Sequence, residues 1–309
     1  MVAQFQTGIT AQASQDAIFL TFNQTDQPDA RVKIRAMLAA VPALQQQWQA
    51  QYPEAGLHLV AAVGTAFWPL LIDGQAPALL APFPALAEGE RLAPATPVDL
   101  LFHIRSDRHD LNFQLAWQIR EQLAEVAELV EEVHGFRYLD SRDMTGFVDG
   151  TENPEGEDRT AVAVVGDEDP AFAGGSYIHL QKYIHRMPLW NRQPLKTQED
   201  TIGRTKADNV EYASSDKAAT AHTKRTSLKD ADGESIEILR HSMPWGNSQQ
   251  CGLMFASYCR TPANFETMLR SMVEGDEHQQ WDHLLKYTRA VTGQAFFAPS
   301  VIGLQALAV

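Results

Sequence analysis

One carboxylate, Asp149, stands between two glycines in the nonapeptide GFVDGTENP, residues 146–154. Gly146 and Gly150 open backbone angles closed to other residues, so the chain can turn tightly there and approach a ligand closely. Thr151, Glu152 and Asn153 add side-chain oxygens for local turns, and Pro154 stops any regular element. An isolated Asp-Gly pair reads as a surface turn; the whole nonapeptide is far more specific. Arg240 lies in ILRHSMPWG, where strand alternation puts Arg240 and Ser242 on one face and Leu239 and His241 on the other. Alone, such an arginine reads as a strand end reaching to water. Arg204, in IGRTK, reads alone as a charged helix end, yet a guanidinium can also grip a carboxylate with two parallel hydrogen bonds. Ten histidines are present (His58, His103, His109, His134, His179, His185, His222, His241, His278 and His283), and residue type does not choose a metal ligand among them. His222, in AHTKRTSL, reads locally as a solvated loop residue. Asp282, in WDHLLKYTRAVTG, has Glu274, Asp276 and Glu277 as neighbours and reads as part of a solvated face.

The elements that must position these groups follow from hydrophobic periodicity. Residues 17–24 read as a strand, and 29–51 as a helix with one buried face, kinked or split at Pro42. Residues 57–63 form a second strand, and a Pro- and Ala-rich passage over 75–97 reads as a long loop. A third strand over 97–104, a helix over 111–129 and a fourth strand over 130–138 complete a β-α-β-β-α-β order, the pattern of a ferredoxin-like unit. The order then recurs: a strand over 176–183, a helix over 197–203, a polar passage from about 206 to 232 containing His222, strands over 235–240 and 253–260, a helix over 262–273 and a last strand over 294–299. The expected architecture is α+β, two stacked ferredoxin-like halves, with residues 1–145 and 146–309 as the two domains.

At 309 residues the chain is long enough for two such domains, and 44% hydrophobic content suits a packed core. A formal charge of −14, from 25 basic and 39 acidic residues, opposes non-specific binding to nucleic acid or anionic membrane. The N-terminus shows no signal pattern and no stretch reaches transmembrane length, so cytoplasm is the expected location. Cys251 and Cys259, if on one strand, lie roughly 26 Å apart at about 3.3 Å per residue and do not pair.

The segments GFVDGTENP, GGSY, IGRTK, the His222 stretch, RxSMPWG and VTGQAFFAPS together resemble the dye-decolourising peroxidases, in particular the compact bacterial type B group. They cover about half the chain, and the N-terminal half matches by element order. The resemblance implies a double α+β barrel-like architecture binding haem b in its C-terminal half, and a peroxidase oxidising dyes or other aromatic donors by one-electron steps. It implies His222 as axial ligand of the haem iron, Asp282 as acceptor of that histidine's other N–H, and Arg204 as partner of a haem propionate. Asp149 is then the general acid-base, Arg240 stabilises developing negative charge, and Ser242 stands where some relatives carry Asn. Hydrogen peroxide and small aromatic donors are the implied substrates and a homo-oligomer the expected assembly. No encapsulin-targeting tail is recognised after FFAPS. Electrons are expected to leave through surface Tyr or Trp residues, with Trp245, Tyr258 and Trp281 as candidates. A haem-handling protein, deferrochelatase-like or a haem carrier, is the alternative.

Overall fold

The computed structural model describes residues 4–308. In the first half, β1 (Asp16–Gln24), α1 (Ala30–Gln51), β2 (His58–Gly64) and a short α2 (Trp68–Leu71) precede a small hairpin, β3 (Leu86–Glu88) and β4 (Arg91–Ala93). β5 (Leu100–Ser106), α3 (His109–Leu123) and β6 (Ala127–Phe136) complete it. β1 lies between β5 and β6, and β5 also pairs with β2, all antiparallel. The spatial order β6-β1-β5-β2 is that of a ferredoxin-like unit.

The second half contains α4 (Asp158–Ala163), β7 (Ser176–His185), α5 (Met187–Trp190), α6 (Leu195–Ile202), α7 (His222–Thr226), β8 (Leu239–Arg240) and β9 (Met243–Gly246). It continues through β10 (Cys251–Cys259), α8 (Pro262–Val273), β11 (Thr288–Ala290), β12 (Gln294–Ala298) and α9 (Val301–Gln305). Its main strands run β12-β7-β10-β9, the same order of fourth, first, third and second strand. Two seams join the halves: β12 pairs with β2, and Gly135 of β6 pairs with Trp245 of β9. Eight strands thereby close an antiparallel barrel, which leaves those strands no open edge along its wall.

Period-two alternation sorts the side chains. Ala17 and Phe19 of β1 join Val60, Leu101, Ile178 and Phe296 inside the barrel, whereas Ile18, Leu20 and Phe22 face the apolar sides of α1 and α3. A buried polar set shares the interior: His103 Nδ1 meets the Tyr258 hydroxyl at 2.9 Å, and Arg105 donates to His241 Nδ1 at 2.6 Å. On the outer face of the second half, β7 and β10 present Tyr183, His185, Leu253 and Phe255 towards Phe265 and Leu269 of α8, and a cavity lies between them.

Several expectations change. α1 runs unbroken through Pro42, because burial of Ile34, Met37, Leu38, Val41 and Leu44 outweighs the hydrogen bond that proline cannot donate. The expected loop over 75–97 contains β3 and β4. The helix expected over 111–129 ends at Leu123, and β6 begins at Ala127. The strand expected over 235–240 shrinks to Leu239–Arg240, while β9 lies inside RxSMPWG. Both cysteines fall on β10 and are free. No helix among the described residues is long and apolar enough to cross a membrane.

Candidate active site

The cavity is enclosed by β7, β10, α8 and the loop carrying Asp149, and its walls are mainly apolar: Phe147, Ile202, Phe255, Phe265, Leu269 and Leu284 among them. Its polar groups converge from separate elements: Asp149, His222, Arg240 and Ser242 all line it. Close packing holds the segments that supply them.

His222 opens α7, and Arg225, one turn on, fastens this short helix to α8 by donating to the Ser271 carbonyl at 2.7 Å, and to the turn beyond α8 by donating to Asp276 at 3.0 Å. On the other side, Gly203 ends α6 at φ 95°, and a Cβ there would stand 2.2 Å from Thr223 Oγ1. Only glycine permits both the left-handed turn and that approach. The His222 ring is oriented by Asp282, which is fully buried and whose Oδ2 lies 2.6 Å from His222 Nδ1. The other carboxylate oxygen, Oδ1, accepts the Leu284 N–H at 2.9 Å, so the orienting group is itself fixed. This leaves His222 Nε2, on the opposite edge of the ring, as its free nitrogen. Burial opposes the charged imidazole, but the charge and hydrogen bond of Asp282 outweigh it and raise the His222 pKa above the usual value. Asp276 and Glu274, the neighbouring carboxylates, pair instead with Arg225 and Arg270.

The Asp149 loop is built by local hydrogen bonds. Gly146 (φ 86°) and Gly150 (φ 79°) both use left-handed angles. The Asp149 N–H donates to the Ser141 carbonyl at 2.9 Å, and Trp190 Nε1 donates to the Thr145 carbonyl at 2.9 Å. Sequence reasoning missed the contact that fixes this loop against Arg240. Asn153 Nδ2 donates to the Arg240 carbonyl at 2.8 Å, and the Arg240 N–H donates to Asn153 Oδ1 at 2.8 Å. The side-chain amide thus stands in for a strand's backbone at Arg240; its only signal was an Asn four residues after Asp149. Arg240 Nε is buried without a partner. Ser242 Oγ accepts the Ala256 N–H at 3.2 Å, and its hydroxyl proton is left to donate elsewhere.

Asp143 also went unnoticed in the sequence. It lines the same cavity, and its Oδ1 accepts the Thr145 N–H at 2.8 Å. Burial, against the Thr145 hydroxyl's hydrogen bond and with the charge of Asp149, lifts its carboxyl to about 6. Arg204 is not part of the cavity lining; it is buried nearby, 3.7 Å from Glu152, with its Nε unpartnered. Of the expected electron exits, Tyr258 and Trp245 are buried rather than at the surface. Trp281 is partly exposed, with the Arg91 guanidinium 4.4 Å from its ring centroid.

An apolar chamber lined by two imidazoles, His222 held by Asp282 and His185 held by Thr288, and by the Arg240 guanidinium and the Asp149 carboxylate fits a flat apolar cofactor carrying a metal ion. The fold and the chamber together define a double ferredoxin-like barrel built to hold such a group. The chain matches the family models "Dyp-type peroxidase, N-terminal" over residues 6–137 and "Dyp-type peroxidase, C-terminal" over residues 140–303. It belongs to the Dyp-type peroxidase family. A dye-decolorizing peroxidase of Rhodococcus erythropolis is 42% identical over 286 residues, covering 92% of this chain and 83% of the relative. A crystal structure described as a putative dyp-type peroxidase protein from Shewanella oneidensis superposes with a TM-score of 0.96 at 48% identity, covering 99% of both chains. A DypB variant of Rhodococcus jostii in complex with heme superposes with a TM-score of 0.92 at 39% identity, covering 96% of both chains. The family, the fold and a peroxidase function agree with the sequence reading. Haem is supported as the cofactor, and the peroxidase reading is favoured over the deferrochelatase-like one; the deferrochelatase of Escherichia coli is 29% identical over half of this chain.

Proposed function

We propose that this chain uses hydrogen peroxide to oxidise small aromatic donors, with haem b in the cavity of the C-terminal half, residues 146–309. Haem, when bound, would supply an iron able to react with peroxide and to pass oxidising equivalents on to a donor. His222, whose Nε2 is left free by the Asp282 contact at Nδ1, would hold the iron. Asp282 fixes the ring's orientation and tautomer and makes the ligand nitrogen more basic. Arg204, with a buried unpartnered Nε, would receive a propionate.

Asp149 accepts the proton from peroxide and returns it to the departing oxygen, while Arg240 stabilises the negative charge that develops there. Ser242 offers one further hydrogen bond. The observation that carries this reading is the placement of Asp149, Arg240 and Ser242 where two cavities meet, since all three line both the apolar chamber and a second, solvent-facing vestibule. A peroxide arriving through the vestibule meets the carboxylate and the guanidinium before it meets the chamber. The enzyme is proposed to act in the cytoplasm as a homo-oligomer. The exposed Phe113–Trp117 pair on α3 supports self-association.

The test is the second-order rate of reaction with peroxide, followed at the Soret band across pH at matched haem occupancy. Asp149→Asn is expected to slow it by about 10² to 10⁴. Arg240→Leu is also expected to slow it. A parental rate for Asp149→Asn at every pH, beside a nearly inactive Arg240→Leu, would remove the proton-transfer role from the carboxylate.

A further inference from the structure

The vestibule itself has a composition that peroxide chemistry does not require. It is a cavity of about 240 Å³ lined by five arginines: Arg105, Arg137, Arg142, Arg159 and Arg240. Among the described residues, none of the five lies within ion-pairing distance of a carboxylate, whereas eight other arginines do. Arg105 and Arg159 are more than nine-tenths buried. Arg159 donates to the carbonyls of Thr10, Ala11 and Pro154, and Arg105 to the Gly8 carbonyl and His241. Arg142 donates to the carbonyls of Gly146, Lys206 and Ala207. Such neutral acceptors satisfy N–H groups but leave the charge uncompensated. Burial, with the charge of Arg159 adding to it against Tyr258, lowers the Arg105 pKa to about 10. Only Asp149 and Glu155 bring negative charge to the lining. In a chain of formal charge −14, this is a local inversion of sign.

Arg137 and Arg240 keep terminal N–H groups free for a carboxylate, the other three arginines add positive charge, and Tyr138, Met243 and Pro244 add surface for an apolar body. We propose that the vestibule binds a small organic carboxylate, and that the bound acid obstructs the approach of peroxide to Asp149 and Arg240. The obstruction, though not the binding, rests on the function proposed above.

Benzoate is the probe, benzamide its uncharged counterpart, and the haem-loaded protein the sample, with calorimetry at fixed ionic strength. Benzoate is expected to bind and benzamide to bind about tenfold more weakly, a loss of about 1.4 kcal/mol of charge–charge attraction. Arg137 is exposed and its side chain touches only Ser141 by hydrogen bond, so its substitution leaves the fold intact. Arg137→Glu is expected to weaken benzoate binding about tenfold, and Arg137→Lys by less than threefold. Benzoate is also expected to slow the peroxide reaction in proportion to its occupancy. Equal affinity for benzamide, unchanged affinity in Arg137→Glu, or chloride or sulfate binding as tightly as benzoate would overturn the carboxylate site. A Soret shift by benzoate that persists in Arg137→Glu would place the acid on the iron and overturn it equally. Binding without any slowing of peroxide would overturn the obstruction. Calorimetry needs no peroxide, so benzoate binding in a protein whose peroxide rate ignores Asp149 and Arg240 would sink the earlier reading and leave this one standing.

Discussion

Asn153 is the residue whose removal most directly tests how the site is assembled. Its amide makes two 2.8 Å hydrogen bonds to the backbone of Arg240, one donated and one accepted, and these join the Asp149 loop to β8. Asn153→Ala removes both partners and leaves an N–H and a carbonyl at Arg240 without protein acceptors or donors. A hydrogen bond contributes about 0.5–1.5 kcal/mol net, and an orphaned buried group costs about 1–3 kcal/mol. Arg240 is only partly buried, so water recovers some of that loss, and about 2 kcal/mol for the pair is the expected local cost. At about 1.4 kcal/mol per tenfold, the Arg240 amide should then exchange its hydrogen about 30-fold faster. The chemistry should suffer more than the stability. A displacement of the order of 1 Å between Asp149 and Arg240 can cost about 10² in rate. The assay is stopped-flow reaction with peroxide at matched haem occupancy, beside hydrogen exchange on the same variant. Asn153→Asp keeps the acceptor for the Arg240 N–H but loses the donor to its carbonyl, so its exchange effect should be smaller. Parental exchange at Arg240 together with a parental peroxide rate in Asn153→Ala would refute the claim that this amide holds the site.

Other substitutions address the haem side. His222→Ala should give folded protein that binds haem poorly or with an altered spectrum; an unchanged Soret band and unchanged activity would exclude His222 as ligand. Arg204→Ala should speed haem transfer to an apo-globin acceptor, and equal loss rates for variant and parent would exclude the propionate pairing. Gly203→Ala adds a Cβ into the space held by Thr223 Oγ1 at a left-handed angle, and should lower both thermal stability and haem retention by shifting α7. Asp143 gives a pH signature. Its carboxyl is raised from 3.8 to about 6 by burial, so the native state holds this proton more tightly than the unfolded chain. Stability therefore falls as pH rises from about 4 to about 6 and levels off above, by up to roughly 3 kcal/mol. Asp143→Asn should flatten that slope in denaturant titrations of the haem-free protein, and an unchanged slope would refute the burial argument.

Much of the architecture was legible because it rests on local periodicity. β1, β2, β7, β10 and β12 alternate or run apolar over short spans, and α8 begins at Pro262 and ends at Val273 as its pattern predicts. What failed locally failed for tertiary reasons. Pro42 reads as a helix breaker, yet one face of α1 buries enough apolar surface to carry the helix through it. β3 and β4 carry no strand signal of their own. They exist because Glu88 accepts the Gly275 N–H at 3.0 Å and Arg91 donates to the Val273 carbonyl at 2.7 Å, beyond the reach of any sequence window.

The candidate site divides in the same way. Sequence by itself supplied the residue types: a carboxylate between glycines, an arginine and a serine on one strand face, a histidine in a polar stretch. Composition and neighbours left ten histidines and four acidic residues between 274 and 282 as equals. Choosing among them on physical grounds takes distance, and only the fold supplies distance. Asp282 meets His222 at 2.6 Å across 60 residues of chain, while Asp276 turns to Arg225. Asn153 meets Arg240 across 87 residues, and two cavities converge on Asp149. Such pairings depend on barrel closure, which brings remote segments together at a cost in chain entropy that burial of both sheet faces offsets. Short-range pattern records which face of an element is buried; it does not record what that face is buried against.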